Sequence, residues 1–317
     1  MRWLPARTPE STSAGIDVGG DRIRTVVVDH AGDEPEVVGV RLHDGFEGDE
    51  ARGSALAETL KSLPGKPRLV AAVGGRGVTV ARVVLTGGSR GRPEEIVRWE
   101  ADSWVESELG ETPEDYAFAV DLDDRDLVAD PGRASAPVLA VAARRDLVAS
   151  RMQMFQRAGR PPEVMDTEAT ALHNALMFAA PSAVRGTCLL LDLGSTRSVA
   201  NVVAEGELVF SGSFRLTSGA ALDDPEESAG MAADQLDTLT ARSSGSDALE
   251  PGRIFVTGGV SRDVTFISAL SESLLVECEA LNPFRRARFA PELTCDFDLD
   301  SQAPQFGIAL GLALRGV

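Results

Sequence analysis

The chain of 317 residues is 43% hydrophobic and 25% charged, a composition typical of a globular protein that can hold two core-bearing domains. Its formal net charge of −18 argues against direct binding of nucleic acid or anionic lipid, because both require a basic surface. Its three cysteines, Cys188, Cys278 and Cys295, have no Cys-x-x-Cys spacing, which favours a reducing compartment over a disulfide framework or a zinc site.

Residues 1–13 are polar and contain two prolines, a composition that predicts disorder. They lack the apolar core of a signal peptide, and no later apolar run approaches the ~20 residues of a membrane span. We therefore expect a cytoplasmic protein that does not insert directly into a membrane.

The first predicted element is a β-hairpin with Asp17-Val18-Gly19-Gly20 at its tip. Glycine lets backbone N–H groups approach phosphate oxygens, and a carboxylate such as that of Asp17 can hold Mg²⁺ through water. Arg24, on the second strand, is either a phosphate ligand or a surface charge. Asp-x-Gly also closes ordinary β-turns, so this hairpin alone predicts either a plain turn or a phosphate site.

A compact α/β unit is predicted at residues 67–166, inserted after a first lobe that spans residues 14–66. The unit combines several strands with a helix that begins at Pro93. Trp99 falls opposite the apolar stripe of that helix, where it would either anchor a partner peptide or pack beneath a neighbouring loop.

A second hairpin of the same pattern has Asp192-Leu193-Gly194-Ser195-Thr196 at its tip. An apolar strand then runs into Gly258-Gly259, a turn that suits either contact with an adenosine or a purely structural role. The order hairpin, hairpin, strand-Gly-Gly predicts an α/β, actin-like, two-lobed ribonuclease-H-like fold. The predicted nucleotide-binding residues are Asp17, Gly19, Gly20, Arg24, Asp192, Gly194, Ser195, Thr196, Gly258 and Gly259, with Asp17 and Asp192 as ligands of Mg²⁺ through water.

The second lobe is assigned to residues 167–317, and its C-terminal helix, residues 305–317, is expected to complete the first lobe. Within the second lobe, residues 219–252 are acidic and rich in small residues. About one helix fits there, so we expect a shortened lid subdomain.

Two C-terminal motifs are specific. Residues 306–315 read Phe-Gly-Ile-Ala-Leu-Gly-Leu-Ala-Leu-Arg, and Asn282-Pro283-Phe284 precedes them. Together with Arg98-Trp99-Glu100-Ala101 in the inserted unit, these motifs resemble the type IV pilus assembly protein PilM family, a branch of the actin-like ATPase superfamily. The resemblance extends over nearly the whole chain from residue 14.

The resemblance implies a cytoplasmic actin-like scaffold, held at the inner membrane through a partner in a type IV pilus or type II-like secretion platform. It implies binding of ATP with Mg²⁺ between the lobes, at most weak ATPase activity, and compatibility with self-association. It also implies that a groove involving residues 67–166 binds the cytoplasmic N-terminal tail of PilN, a single-span membrane protein.

Two departures from the family pattern weaken the nucleotide prediction. Asp21 places a carboxylate beside the expected phosphate, and Arg24 stands where the family favours a lysine. The stretch Ala220–Arg253 is shorter than the helical subdomain that covers adenine in the family. Weak nucleotide binding and none at all are both compatible with these features, and no catalytic residue is assigned.

Two alternatives use the same fold. A sugar or acyl kinase needs a catalytic carboxylate in the interlobe cleft and a substrate-binding second insertion, which residues 219–252 are too short to supply. An FtsA-like cell-division protein carries a C-terminal amphipathic membrane helix, and the chain reaches Val317 without such a pattern.

Overall fold

The structure, a computed structural model, describes residues 11–86, 105, 112–121, 135–182, 185–243 and 250–315. The strands in chain order are β1 (Thr12–Val18), β2 (Arg22–Asp29), β3 (Glu36–Asp44), β4 (Arg68–Val73), β5 (Val78–Thr86), β6 (Tyr116–Asp121), β7 (Ser135–Arg144), β8 (Val164–Thr167), β9 (Thr187–Leu193), β10 (Ser198–Ala204), β11 (Glu207–Phe214), β12 (Arg253–Gly258), β13 (Glu277–Ala280) and β14 (Arg288–Phe289). The α-helices are α1 (Gly48–Lys61), α2 (Arg145–Arg157), α3 (Glu168–Ala179), α4 (Ser218–Asp223), α5 (Pro225–Ser243), α6 (Val264–Leu274), α7 (Leu299–Gln302) and α8 (Gly307–Leu314).

The first sheet has the strand order β14-β3-β2-β1-β4-β8. Its centre is the predicted first hairpin, in which β1 and β2 pair antiparallel and place Asp17 opposite Arg24. Strand β1 is buried along its whole length, as expected of a central strand covered on both faces. At its carboxyl end, β1 leads into the tip of the first hairpin, where Val18 pairs with Ile23.

The second sheet has the order β13-β12-β9-β10-β11-β5-β7-β6. Strands β9 and β10 form the predicted second hairpin, and β12 lies parallel to β9 with Gly258 beside Leu193. Strand β5 joins β11 antiparallel, with Phe210 opposite Ala81. The range 67–166 thus supplies β5, β6 and β7 to this sheet, and β4 and β8 to the first. The domain boundaries at 66/67 and 166/167 stay a prediction.

Helix α8 packs between β1 and α3. A Cβ atom at Gly15 would lie 2.0 Å from the carbonyl oxygen of Ala309, and one at Gly311 would lie 1.7 Å from that of Ala171. Backbone therefore meets backbone on both sides of the helix, which only glycine permits. Ser13 Oγ donates a hydrogen bond to the carbonyl oxygen of Ala313 at 2.5 Å and ties the helix to β1.

Helices α4 and α5 occupy the predicted lid region. The buried face of α5 includes Ala232 and Leu236, which share a core cluster with Phe266 and Leu270 of α6. The lid region is therefore packed onto the second lobe. Within the described residues, no helix has both the length and the apolar character that crossing a membrane requires.

Candidate functional site

A cleft lies where the two hairpin tips and the turn after β12 converge. It encloses about 180 Å³. All ten residues that the sequence analysis assigned to a nucleotide line it, and each reaches the cleft from the end of a strand or from the turn that follows. Its other lining residues are Asp21, Arg22, Glu168, Leu193, Arg197, Ser218, Leu222, Arg262, Gln305 and Ile308.

The two hairpin turns have the same hydrogen-bond pattern. In the first turn, the Gly19 N–H donates to the carbonyl oxygen of Arg22 at 2.9 Å. In the second, the Gly194 N–H donates to that of Arg197 at 3.0 Å. Because these N–H groups close the turns, a phosphate group would be met by the N–H groups of the tip residues that follow each glycine.

The hairpin tips contact each other directly. Ser195 Oγ donates a hydrogen bond to Asp21 Oδ1 at 2.8 Å. A Cβ atom at Gly20 would lie 2.6 Å from Cγ2 of Thr196, so the second tip sits against the bare backbone of the first. The carboxylate of Asp21, which the sequence places beside the expected phosphate, therefore accepts a hydrogen bond from a hydroxyl group of the opposite hairpin.

Arg24 is held between two polar partners. Its Nη1 lies 3.1 Å from Asp17 Oδ2, and its Nη2 donates to Gln305 Oε1 at 3.3 Å. The same amide oxygen accepts a hydrogen bond from Arg22 Nη1 at 2.7 Å. Arg24 is thus a nearly buried member of an ion pair, and the sequence analysis considered it only as a phosphate ligand or a surface charge.

Asp192 has no arginine partner comparable to that of Asp17. The hydroxyl oxygen of Thr257 lies 2.9 Å from Asp192 Oδ1. Burial, and then the nearby negative charge of Asp17, raise the pKa of Asp192 to about 6, although the Thr257 hydrogen bond opposes the shift. Burial also raises the pKa of Asp17, against the lowering effect of Arg24.

Glu168 and Arg197 form an ion pair that the sequence analysis missed. Arg197 Nε lies 3.1 Å from Glu168 Oε2, and its Nη2 donates to Oε1. The adjacent Glu168 carboxylate raises the pKa of Arg197 further. Glu168 follows β8 directly, and a carboxylate immediately after a predicted strand was the signal that could have found it.

The turn after β12 is shaped by Gly258. Its φ of +87° lies in the left-handed region, and a Cβ atom there would lie 2.3 Å from the carbonyl oxygen of Leu193. Gly258 is thus required by the approach of β9. A Cβ atom at Gly259 would meet Ser218 only at 3.6 Å, an ordinary contact distance. Trp99, the predicted partner anchor, lies outside the described residues.

Two findings from the comparisons with known proteins name the same family. The model of the type IV pilus assembly protein PilM matches residues 94–216. A solved structure described as the PilM-PilN type IV pilus biogenesis complex matches with a TM-score of 0.75 and 21% identity, covering 98% of this chain and 99% of that chain. The resemblance to PilM is confirmed.

This match to PilM also confirms the predicted α/β, actin-like fold class. Weaker matches include a Bacteroides thetaiotaomicron protein with an actin-like ATPase fold (TM-score 0.49, 11% identity, 93% and 95% coverage of the two chains). The cytoplasmic domain of EpsL, an inner membrane component of the Vibrio cholerae type II secretion system, matches at TM-score 0.47 and 11% identity, covering 90% and 91%. No curated protein matches the chain.

The cleft has N–H donors for phosphate, and both predicted metal ligands have partners within the protein. Asp17 is paired with Arg24, and Asp192 accepts the Thr257 hydrogen bond. Across the described residues, no cluster of three or more His, Cys, Asp or Glu side chains is arranged to hold a metal ion. The tip N–H groups fit the phosphates of a nucleotide, and the assignment of Asp17 and Asp192 as ligands of Mg²⁺ through water stays a prediction.

Proposed function

We propose that this protein is a cytoplasmic actin-like scaffold of a type IV pilus assembly platform. In this role it binds the N-terminal cytoplasmic tail of a PilN-like membrane protein, which holds it at the inner membrane. The observation that carries the proposal is the end-to-end match to the PilM-PilN complex, which covers 98% of this chain. The PilM family model adds independent support, since its match includes most of the predicted partner-binding unit.

A peptide-binding experiment tests the scaffold proposal. A fluorescent synthetic tail of the PilN-like protein from the same genome should bind the full-length protein, and a scrambled tail of the same composition should not. Trp99→Ala should weaken binding by about tenfold or more if Trp99 anchors the tail. Trp3→Ala is the matched control, because it removes the same side chain from outside the predicted unit. Absence of tail binding by the unmodified protein would contradict the proposal.

We further propose that the cleft binds an adenine nucleotide weakly. The tip N–H groups of Gly20 and Ser195 would hold phosphate oxygens from opposite sides, and Gly259 would lie beside the adenosine. A bound nucleotide would supply a charged bridge between the two hairpins. The cleft of about 180 Å³ is below the about 300–1,000 Å³ typical of small-molecule sites, so part of the nucleotide would remain exposed.

Calorimetric titration with ATP tests the nucleotide proposal. Gly259→Val should abolish the heat of binding, because the larger side chain fills the space beside Ser218. Gly230→Val on α5 is the matched control, since a Cβ atom there meets nothing within 4 Å. Absence of heat with the unmodified protein at millimolar ATP would refute nucleotide binding and leave the scaffold proposal intact.

The kinase and cell-division alternatives gain no support from the part of the chain that the structure describes.

A further inference from the structure

Arg24 is built into the hairpin as the cationic partner of Asp17. The two residues face each other across the β1–β2 pair, with Nη1 of Arg24 at 3.1 Å from Oδ2 of Asp17. Only 14% of the Arg24 side chain and 10% of the Asp17 side chain are exposed. Pairing of β1 with β2 therefore places the guanidinium of Arg24 beside Asp17. The actin-like pattern led us to expect a hydrated metal ion at this carboxylate.

Gln305 fixes the position of this charge. Its side chain is 5% exposed, and its amide oxygen accepts hydrogen bonds from both Arg22 and Arg24. The amide nitrogen donates to the side chain of Gln302, which turns the oxygen toward the arginines. The Arg24 guanidinium is thus held on one side by Asp17 of its own hairpin and on the other by Gln305, which is 281 positions away.

We infer that the guanidinium of Arg24 takes the place of the divalent cation, so that the cleft binds a nucleoside polyphosphate without a metal ion. This inference rests on the proposed nucleotide binding. Asp17 and Gln305 each take one N–H from a different Nη atom, which leaves a second N–H on each to face phosphate oxygens.

The chemistry of Mg²⁺ and of the guanidinium group explains why Arg24 would replace the metal ion. A hydrated Mg²⁺ at Asp17 needs a carboxylate whose charge is free, and here Arg24 already neutralises it. A divalent ion placed beside the guanidinium would meet like-charge repulsion. Four arginines and four carboxylates line the cleft, so the lining is formally neutral and the guanidinium groups are the cations already present beside the proposed phosphate position.

Calorimetry of the full-length protein with ADP and ATP, in excess EDTA and in excess Mg²⁺, tests the inference. We expect the dissociation constant in EDTA to be equal to or lower than that in Mg²⁺. Binding that is more than about threefold weaker in EDTA would overturn the inference, while nucleotide binding itself would stand. Absence of binding in both buffers would overturn the nucleotide proposal and this inference with it.

Variants of Arg24 make the test specific. Arg24→Ala should lose about tenfold or more of its affinity in EDTA and recover part of it in Mg²⁺, because Asp17 becomes free to hold the metal. Unchanged affinity in EDTA would contradict the inference. Arg24→Lys keeps the positive charge and is the second test if the alanine variant fails to fold. Its nucleotide affinity should be the same in EDTA and in Mg²⁺. Arg288→Ala, on β14 with a side chain 67% exposed, is the charge-matched control and should leave both affinities unchanged.

Discussion

At the residue scale, the cleft is defined by three carboxylates behind the hairpin tips, of which two are paired with arginines and one is hydrogen-bonded to a hydroxyl group. Asp17 faces Arg24, Glu168 binds Arg197, and Asp192 relies on the hydroxyl group of Thr257. Hydrogen bonding to a neutral hydroxyl compensates a buried charge less than an ion pair does. Asp192 is therefore the one of the three that has no ion-pair partner among the described residues.

Asp192→Asn should stabilise the protein at neutral pH. The pKa of Asp192 in the folded state is about 6, above the ordinary value of 3.8. Between pH 3.8 and about 6, the folded state therefore binds a proton at Asp192 that the unfolded state has already released. The favourable contribution of the protonated group is complete below about pH 4 and is lost as pH rises through about 6. We expect the substitution to raise the free energy of unfolding by about 1–3 kcal/mol at pH 7.5.

Urea unfolding at pH 4 and pH 7.5 measures this effect. The advantage of the asparagine variant should shrink at pH 4, where the aspartic acid of the parent protein is largely protonated. An equal difference at both pH values would show that ionisation of Asp192 is not its cause. Because the amide retains a hydrogen-bond acceptor toward Thr257, the comparison isolates the charge.

Glu168→Gln should destabilise the protein by about 2–4 kcal/mol, because it leaves a largely enclosed guanidinium without its counter-charge. Glu168 is 5% exposed and Arg197 is held by two contacts with it. Glu207→Gln removes a carboxylate from the pair with Arg82, in which the Glu207 side chain is 64% exposed. That control should change stability by less than about 0.5–1 kcal/mol in the same denaturant titration. Equal effects of the two substitutions would refute the role assigned to burial.

Residues of the cleft differ in how far sequence could predict them. The glycines and aspartates of the hairpin tips were predictable, because local turn chemistry requires them. Gln305 and Glu168 were not, because their partners Arg24 and Arg197 lie 281 and 29 positions away. Only the folded topology brings such side chains together.

At the scale of elements, α8 joins the first sheet to the helix that precedes the second hairpin. Its close approaches at Gly15 and Gly311 leave no room for a single methyl group. Its existence was predictable from a short apolar run of small residues, and its bounds agree with the expected helix to within a few residues. The joining of β5 to β11 was not predictable, because strand partners distant in sequence leave no local pattern.

Gly311→Ala should destabilise the protein by at least about 2–3 kcal/mol, since the new methyl group would overlap the backbone of Ala171. Gly53→Ala is the matched control: it lies inside α1, where a Cβ atom meets nothing within 4 Å. That substitution should be neutral or stabilise the helix by up to about 1 kcal/mol. Thermal unfolding followed by circular dichroism measures both, and a tolerated Gly311→Ala would contradict the described packing.

At the scale of the whole molecule, the charge balance is strongly acidic, with 49 acidic residues against 31 lysines and arginines. Like charges spread over the surface repel each other and favour expansion of the chain. The lining of the cleft is formally balanced, with four arginines and four carboxylates. The remaining surface therefore carries the excess negative charge.

Salt should stabilise the protein at pH 7. Raising NaCl from about 10 mM to about 150 mM shortens the screening length from about 30 Å to about 8 Å, which weakens the repulsion. We expect the melting temperature to rise by a few degrees, and the rise to shrink at pH 5, close to the isoelectric point of about 4.6. Differential scanning calorimetry measures both, and a melting temperature that falls with salt at pH 7 would contradict the prediction.

The bond between Ser13 and the carbonyl oxygen of Ala313 spans 300 positions and has a consequence for synthesis on the ribosome. Strands β1 and β2 leave the exit tunnel well before the helix that covers Val26 and Val28, because the second sheet and its helices are translated between them. Until then, a ribbon of β-branched side chains is exposed to other nascent chains. The core of the first lobe therefore closes only once the C-terminal helix has been made, and until then the early hairpin is the segment of that lobe most open to aggregation.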